Sequence, residues 1–192
     1  MVIMMKHAGL LVAAMTMFAG SPVQAEPPRE VAILAGGCFW GMENVLRKAP
    51  GVLSIEVGYA GGKATSVSYE QVSSGETGHA ESVRIVFDPT KLSYEDLLTH
   101  WYFRGHDPTT KDRQNNDVGT QYRSEIFTFT DAQRKTAEAV KVRIDKTGKW
   151  GHPIVTTIEQ ATTFVRAEDY HQDYLIKHPN GYNDHYLRAF DF

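Results

Sequence analysis

Apolar residues recur along this chain in two rhythms. In "HAESVRIVFDP", Val83, Ile85 and Phe87 fall on one side of an alternating segment, with Ser82 and Arg84 on the other. That pattern predicts a half-buried strand. "REVAILAGG" is a continuous apolar run stopped by glycines, which predicts a more deeply buried strand. "VLSIEVGYAGG", "YRSEIFTFT" and "PIVTTIEQ" predict three further strands. Between the strands the apolar spacing lengthens to helical. "FWGMENVLRKAPG" predicts a short helix closed by Pro50-Gly51, with Phe39 or Trp40, Val45 and Leu46 on one face and Glu43 and Arg47 as an i,i+4 pair. "SYEDLLTHWYF" opens with Ser93 and Asp96 in capping spacing and is expected to bury Leu97, Leu98 and Trp101. "TDAQRKTAEAVKVRID" carries the capping pair Thr130 and Gln133, and "AEDYHQDYLIKH" predicts a short helix before Pro179-Asn180-Gly181.

Strands and helices thus interleave, and several strands alternate instead of running wholly apolar. This predicts an α+β fold over a doubly wound parallel sheet. The expected form is a two-layer α/β sandwich: a mixed, mainly antiparallel sheet with helices packed on it, ferredoxin-like in arrangement. No internal repeat, low-complexity tract or long linker interrupts it, so residues 26–192 read as a single domain.

Residues 1–25 read differently. Lys6 and His7 precede the apolar run Ala8–Gly20, and Val23 and Ala25 are small residues ahead of Glu26. This is the pattern of a cleavable export signal, with the cut expected after Ala25. The run is short for a bilayer span. An uncleaved anchor, a buried helix and a lipid-modified Cys38 are the alternatives. Against the last, Glu26, Arg29 and Glu30 separate the apolar run from Cys38. The expectation is an exported, periplasmic protein with no stable membrane association after cleavage.

Charge narrows the partners. The chain holds 20 Lys and Arg against 23 Asp and Glu, for a net charge of -3. With no basic surplus, nucleic acid and anionic membrane surfaces are not expected partners. Cys38 is the one cysteine of the 192 residues, so these residues form no internal disulfide. A lone thiol is unusual in an exported protein, since oxidising compartments favour disulfides. Either Cys38 is buried packing, or its thiol has a chemical role.

Its setting favours the second. "AILAGGCFWGMENV" puts Cys38 where a strand ends and a helix begins. Backbone amides and the helix dipole there are expected to favour the thiolate and lower the thiol pKa. Phe39 and Trp40 are placed to wall an apolar pocket over the sulfur. Two polar stretches offer acids and bases: "SYEQVSSGETGHAES", with Tyr69, His79 and Glu81, and "HDPTTKDRQNNDVGTQYRS", with His106, Asp107, Asp117 and Tyr122. Both read as loops, where functional residues concentrate. One reading is a cysteine hydrolase with His79 or His106 as base. A non-enzymatic reading is a peptide-binding module in which the aromatics grip a side chain. His171, His178 and His185 recur every seven residues, but the break at Pro179-Asn180-Gly181 and the lack of close Cys/His pairs argue against metal. No metal site is expected, and these histidines read as exposed polar residues.

Taken together and in order, "GCFWGME", "GYAGG", "SGETGHAESV", "HDPTTKDRQNNDVGTQYRS" and "AEDYHQDYL" resemble the peptide methionine sulfoxide reductase A family, from about Val31 to Tyr182. The resemblance implies an enzyme that reduces the S epimer of methionine sulfoxide in proteins or peptides, repairing oxidative damage. It implies Cys38 as nucleophile, left as a sulfenic acid, and Glu81 as general acid. It places Tyr69, Tyr122 and Asp117 in the same site, with Phe39 and Trp40 holding the sulfoxide methyl group and Tyr182 touching substrate. No cofactor is implied beyond an external thiol reductant, such as thioredoxin or dithiothreitol, and the enzyme is expected to be a monomer. One position departs from the pattern. Many members follow the C-terminal "GY" with a resolving cysteine; this chain has Asn183 there.

Overall fold

The structure is a computed structural model that describes residues 28–192. The apolar run Ala8–Gly20 and the expected cleavage point after Ala25 lie outside the described residues. In chain order the strands are β1 (Glu30–Gly36), β2 (Val52–Ala60), β3 (Ala80–Phe87), β4 (Arg113–Gln114), β5 (Asp117–Val118), β6 (Ser124–Thr128), β7 (Thr157–Gln160) and β8 (Val165–Arg166). The helices are α1 (Phe39–Leu46), α2 (Tyr69–Ser73), α3 (residues 94–105), α4 (Asp131–Lys146) and α5 (Tyr174–Lys177). Helix α3 runs from Tyr94–Asp96 through a π-helical turn, Leu97–Tyr102, into Phe103–Gly105.

Six strands form one sheet in the order β7-β6-β1-β3-β2-β8, and β4 pairs with β5 as a separate hairpin. All neighbours in the large sheet are antiparallel except β6 and β7, which α4 joins as a parallel crossover. The inner strands β6-β1-β3-β2, with α1 and α3 between them in sequence, make the βαββαβ unit of a ferredoxin-like sandwich. The α+β, two-layer expectation holds.

Alternation decides which face is which. Ala32, Leu34, Val57, Tyr59, Val83, Ile85 and Phe87 pack with Phe39, Met42 and Leu46 of α1, Leu97 and Leu98 of α3, and Ala137, Val140 and Ile144 of α4. Ile33, Ala35 and Phe127 point the other way into a smaller cluster covered by Ala161 and Phe164. Helices therefore cover one face, and irregular chain covers part of the other.

Three local expectations need correction. Trp101 is half-buried, while Tyr102 and Phe103 are fully buried. The π turn inserts an extra residue and rotates the following side chains inward; Tyr102 then donates its hydroxyl to the Ala35 carbonyl, 2.8 Å away. The helix expected over "AEDYHQDYLIKH" is confined to α5, because Asp173 takes a left-handed φ of 55°. Upstream of it Gln172 turns inward and bonds both backbone groups of Val57, at 2.9 Å each, as a neighbouring strand would. Conversely, the stretch read as a loop at Ser68 holds helix α2, started by a reciprocal capping box between Ser68 and Gln71.

Candidate active site

Strand β1 ends at Gly36, and Gly37 turns the chain with φ 94°. Cys38 is the first residue beyond that turn and the N-cap of α1. Its side chain caps no amide, so the first amides of α1 need other partners. One comes from β3. The β1–β3 register pairs Ala35 with Ser82, so Glu81 comes next, beside the exit of β1. Glu81 also shares the face of Val83, Ile85 and Phe87, which is the covered face. Its Oε2 accepts the Phe39 amide at 3.0 Å. A carboxyl of the sheet thus caps the helix that begins at Cys38.

Burial dominates the electrostatics. Cys38 is 7% exposed and Glu81 3%. Burial pushes Glu81 up to about 8, offset in part by the Phe39 amide and reinforced by nearby Asp117. Burial, then the Glu81 carboxylate, pushes the Cys38 thiol well above its ordinary value. The expected lowering is thus overturned. The amides of Trp40 and Gly41 do favour the thiolate, but desolvation outweighs them. Near neutrality the pair is a thiol beside a carboxylic acid.

The remaining residues named from the sequence gather at this point. Tyr69 starts α2 and is half-buried. Tyr122 ends a single 3-10 turn, Thr120–Tyr122. Thr120 and Gln121 bond the carbonyls of Gly75 and Ser73, which ties this turn to the end of α2. Burial raises both phenols, and Glu81, Cys38 and Asp117 each add to the effect. Both hydroxyls therefore stay protonated near neutral pH. Asp117 lies in β5, half-buried, and its Oδ2 accepts from the Tyr182 hydroxyl at 3.3 Å. Burial, then Asp184, raises Asp117 from its usual value. Tyr182 is largely exposed at the rim.

The two aromatics divide their roles. Phe39 is buried, 5.0 Å from the His171 ring and 5.9 Å from Tyr59. Trp40 is half-buried, stacked on Tyr174 at 3.7 Å, and donates its indole N–H to His171 Nδ1 at 3.1 Å.

Sequence reasoning missed several supports. His171 and His185 are buried, not exposed, while His178 is exposed as expected. His171 packs among Phe39, Trp40 and Tyr69. Glu168 accepts the Tyr69 amide and the Tyr59 hydroxyl, each at 2.9 Å, fixing α2 against the sheet. Only the density of polar and aromatic residues in "AEDYHQDYL" signalled Glu168 and His171, and nothing signalled the burial of His185. The hydrolase reading has no support: His79 Nε2 donates to the Ala64 carbonyl, and His106 is held by the Tyr102 carbonyl and Ser124 Oγ. Burial keeps His106 neutral, down at about 3. Among the described residues no group of three or more His, Cys, Asp or Glu is placed to hold a metal ion.

A family described as "Peptide methionine sulfoxide reductase" matches residues 30–190. The peptide methionine sulfoxide reductase MsrA of Nocardia farcinica is 50% identical over 157 residues, covering 82% of this chain and 89% of that protein. Among solved structures, Mxr1 of Saccharomyces cerevisiae in reduced form superposes with a TM-score of 0.79 at 40% identity, covering 84% of this chain and 93% of Mxr1. Mxr1 in complex with Trx2 superposes less closely, with a TM-score of 0.58 at 28% identity, covering 88% of this chain and 96% of that one.

Proposed function

The chain belongs to the peptide methionine sulfoxide reductase family, and we propose that Cys38 and Glu81 carry out its reaction, on the S epimer of methionine sulfoxide. The observation that carries this reading is the buried Glu81 carboxyl, up at about 8, bonded to the amide next to the lone thiol. The sulfoxide sulfur is electrophilic and its oxygen basic. The Cys38 sulfur attacks the former while Glu81 gives its proton to the latter, and the thiol proton restores Glu81. The phenols of Tyr69 and Tyr122 steady the oxygen as charge builds on it. Attack forms an S–S bond as the substrate's protonated oxygen leaves as water; water then adds to the Cys38 sulfur, and the S–S bond breaks to release the thioether. A thiol and a sulfoxide thereby become a sulfenic acid and a thioether, with two electrons passing from the Cys38 sulfur to the substrate sulfur. Phe39 and Trp40 form the apolar seat for the methyl group, and Asp117 and Tyr182 border the entrance.

Recycling follows from composition. With one sulfur nucleophile in these 192 residues, no second cysteine condenses with the sulfenic acid. An external thiol forms a mixed disulfide and water, and a second thiol frees Cys38. A thioredoxin-like dithiol protein suits both steps; the relative Mxr1 has been solved in complex with Trx2. The protein is read as a monomer, exported and cut after Ala25, with Glu26 as its first residue; N-terminal sequencing that starts at Met1 refutes the export part.

The test is a reaction without reductant on a sulfoxide peptide of known epimer. One equivalent of methionine should form per enzyme and then stop, dimedone should label Cys38, and dithiothreitol should restart turnover. Cys38→Ser should yield no methionine. Several equivalents without added thiol overturn the scheme, and cleavage of the peptide revives the hydrolase reading.

A further inference from the structure

His185 takes no part in the reaction above, yet it is buried against the turn that carries the nucleophile. Its side chain is fully enclosed. Nε2 donates to the carbonyl of Gly36 at 2.7 Å, and Nδ1 stands 2.6 Å from Asp184 Oδ1. The ring fits between the two glycines that flank Cys38 and Trp40. A Cβ on Gly37 would come within 3.0 Å of His185 Nε2, and one on Gly41 would overlap His185 Nδ1. Gly41 is thus needed to admit this imidazole, while Gly37 is required chiefly by its φ of 94° and by the Gln114 side chain packed against it.

Asp184 is anchored in turn. Asn115 donates its side-chain amide to the Asp184 carbonyl at 3.0 Å and more weakly to Oδ2 at 3.4 Å. Burial alone would raise the Asp184 carboxyl, but His185 and Asn115 hold it below its usual range. Asn115 sits in the β4–β5 hairpin that carries Asp117. The segment after Asn183 therefore links the nucleophile turn to the Asp117 hairpin through hydrogen bonds, where many relatives place a second cysteine.

The geometry points to His185 as a positioning residue: bonded to the Gly36 carbonyl and seated beside Asp184, it fixes the Gly36–Gly41 turn that carries the Cys38 sulfur. This rests on Cys38 being the nucleophile. Without the ring, the Gly36 carbonyl loses this donor and Gly41 loses its nearest neighbour. The turn loosens, and the sulfur loses its fixed place just where burial already disfavours its charge.

The experiment compares His185→Ala, His185→Gln and Asp184→Asn in two assays. The first is the rate of Cys38 alkylation by iodoacetamide against pH, which needs no sulfoxide. The second is methionine formed in a single turnover. His185→Ala should move the alkylation profile to higher pH and slow the single turnover by roughly 10-fold or more, with substrate KM nearly unchanged. His185→Gln, which keeps a donor for the Gly36 carbonyl, should recover most of both. Asp184→Asn should fall between them, and it decides the matter where His185→Ala does not fold. Profiles and rates matching the unaltered protein in His185→Ala or, failing that, in Asp184→Asn overturn the inference. A normal alkylation shift with no methionine from any form, the unaltered protein included, instead defeats the reductase reading and leaves the positioning role standing.

Discussion

Two buried carboxyls meet helix α1, one at its start and one inside it, and they differ in what stands beside them. Glu81 meets its N-terminus and Glu43 lies within it; they are 3% and 2% exposed. Glu43 has a cation. Arg47 donates to it at 2.7 Å and also pairs with Asp173, whose amide lies 3.4 Å from Glu43. Burial raises Glu43, but Arg47 restrains it to about 6. Glu81 has one amide and no cation, and Asp117 adds to the burial, so it reaches about 8. Similar exposure thus goes with two kinds of group. At neutral pH the first is an ionised tie between α1 and the segment before α5. The second is an acid holding a proton beside a thiol. The cation beside Glu43 and the deeper setting of Glu81 together separate them, which is why an unpaired, deeply buried carboxyl marks the chemistry.

The comparison breaks most visibly at Glu81. Glu81→Gln keeps the shape and an acceptor but loses the proton, so single-turnover methionine formation should fall by roughly 10²–10⁴-fold. An unchanged rate would move the acid to a phenol or to water.

The pH dependence sharpens the same point. The single-turnover rate should hold up to about pH 8, where Glu81 loses its proton, and decline above it. Glu81→Gln should lack this alkaline limb. The sign for stability agrees. Glu81 titrates higher in the folded chain than in the unfolded one, so its contribution is complete below the ordinary carboxyl range and is lost as pH rises through about 8. A rate that climbs steadily through that pH in the unaltered protein contradicts the acid role.

Removing one phenol, as Tyr69→Phe or Tyr122→Phe, should cost less, about 10-fold at most, because the other remains to bond the oxygen. A loss as large as that of Glu81→Gln from either single change would make that tyrosine the acid.

The smallest effect on chemistry should come from the other carboxyl. Arg47→Ala strips the cation from Glu43 and unties Asp173 from α1. Thermal unfolding should show a loss of about 1–2 kcal/mol, larger above pH 6 than below it. The single-turnover rate should stay within about threefold. A large fall in rate with no change in melting would erase the distinction between the two carboxyls.

Much of this was legible in the chain. The alternation Val83, Ile85, Phe87 fixed the covered face of β3, and counting back two residues from Val83 puts Glu81 on that same face. The signal for a buried acid was therefore present in "HAESVRIVF", though the residue looked like part of a polar loop. The capping box at Ser68 and Gln71 was likewise present and marks α2. The π turn in α3 was not legible, because its cause is the fit of Tyr102 against β1 and β6 rather than any local propensity.

By itself the sequence determined the layered sandwich, the lone thiol at a strand-to-helix turn, the family and the absence of a second cysteine among these residues. The family follows from the resemblance of its ordered motifs, and the others from periodicity, glycine placement and composition, all properties of the chain itself. Tertiary structure alone decided the protonation of Cys38 and Glu81, the burial of His171 and His185, and the tie from Asp184 to the Asp117 hairpin. Each depends on which residues distant in sequence exclude water from a group or supply its partner. Desolvation and pairing act through space, and a helix N-terminus favours a thiolate only as far as its surroundings allow.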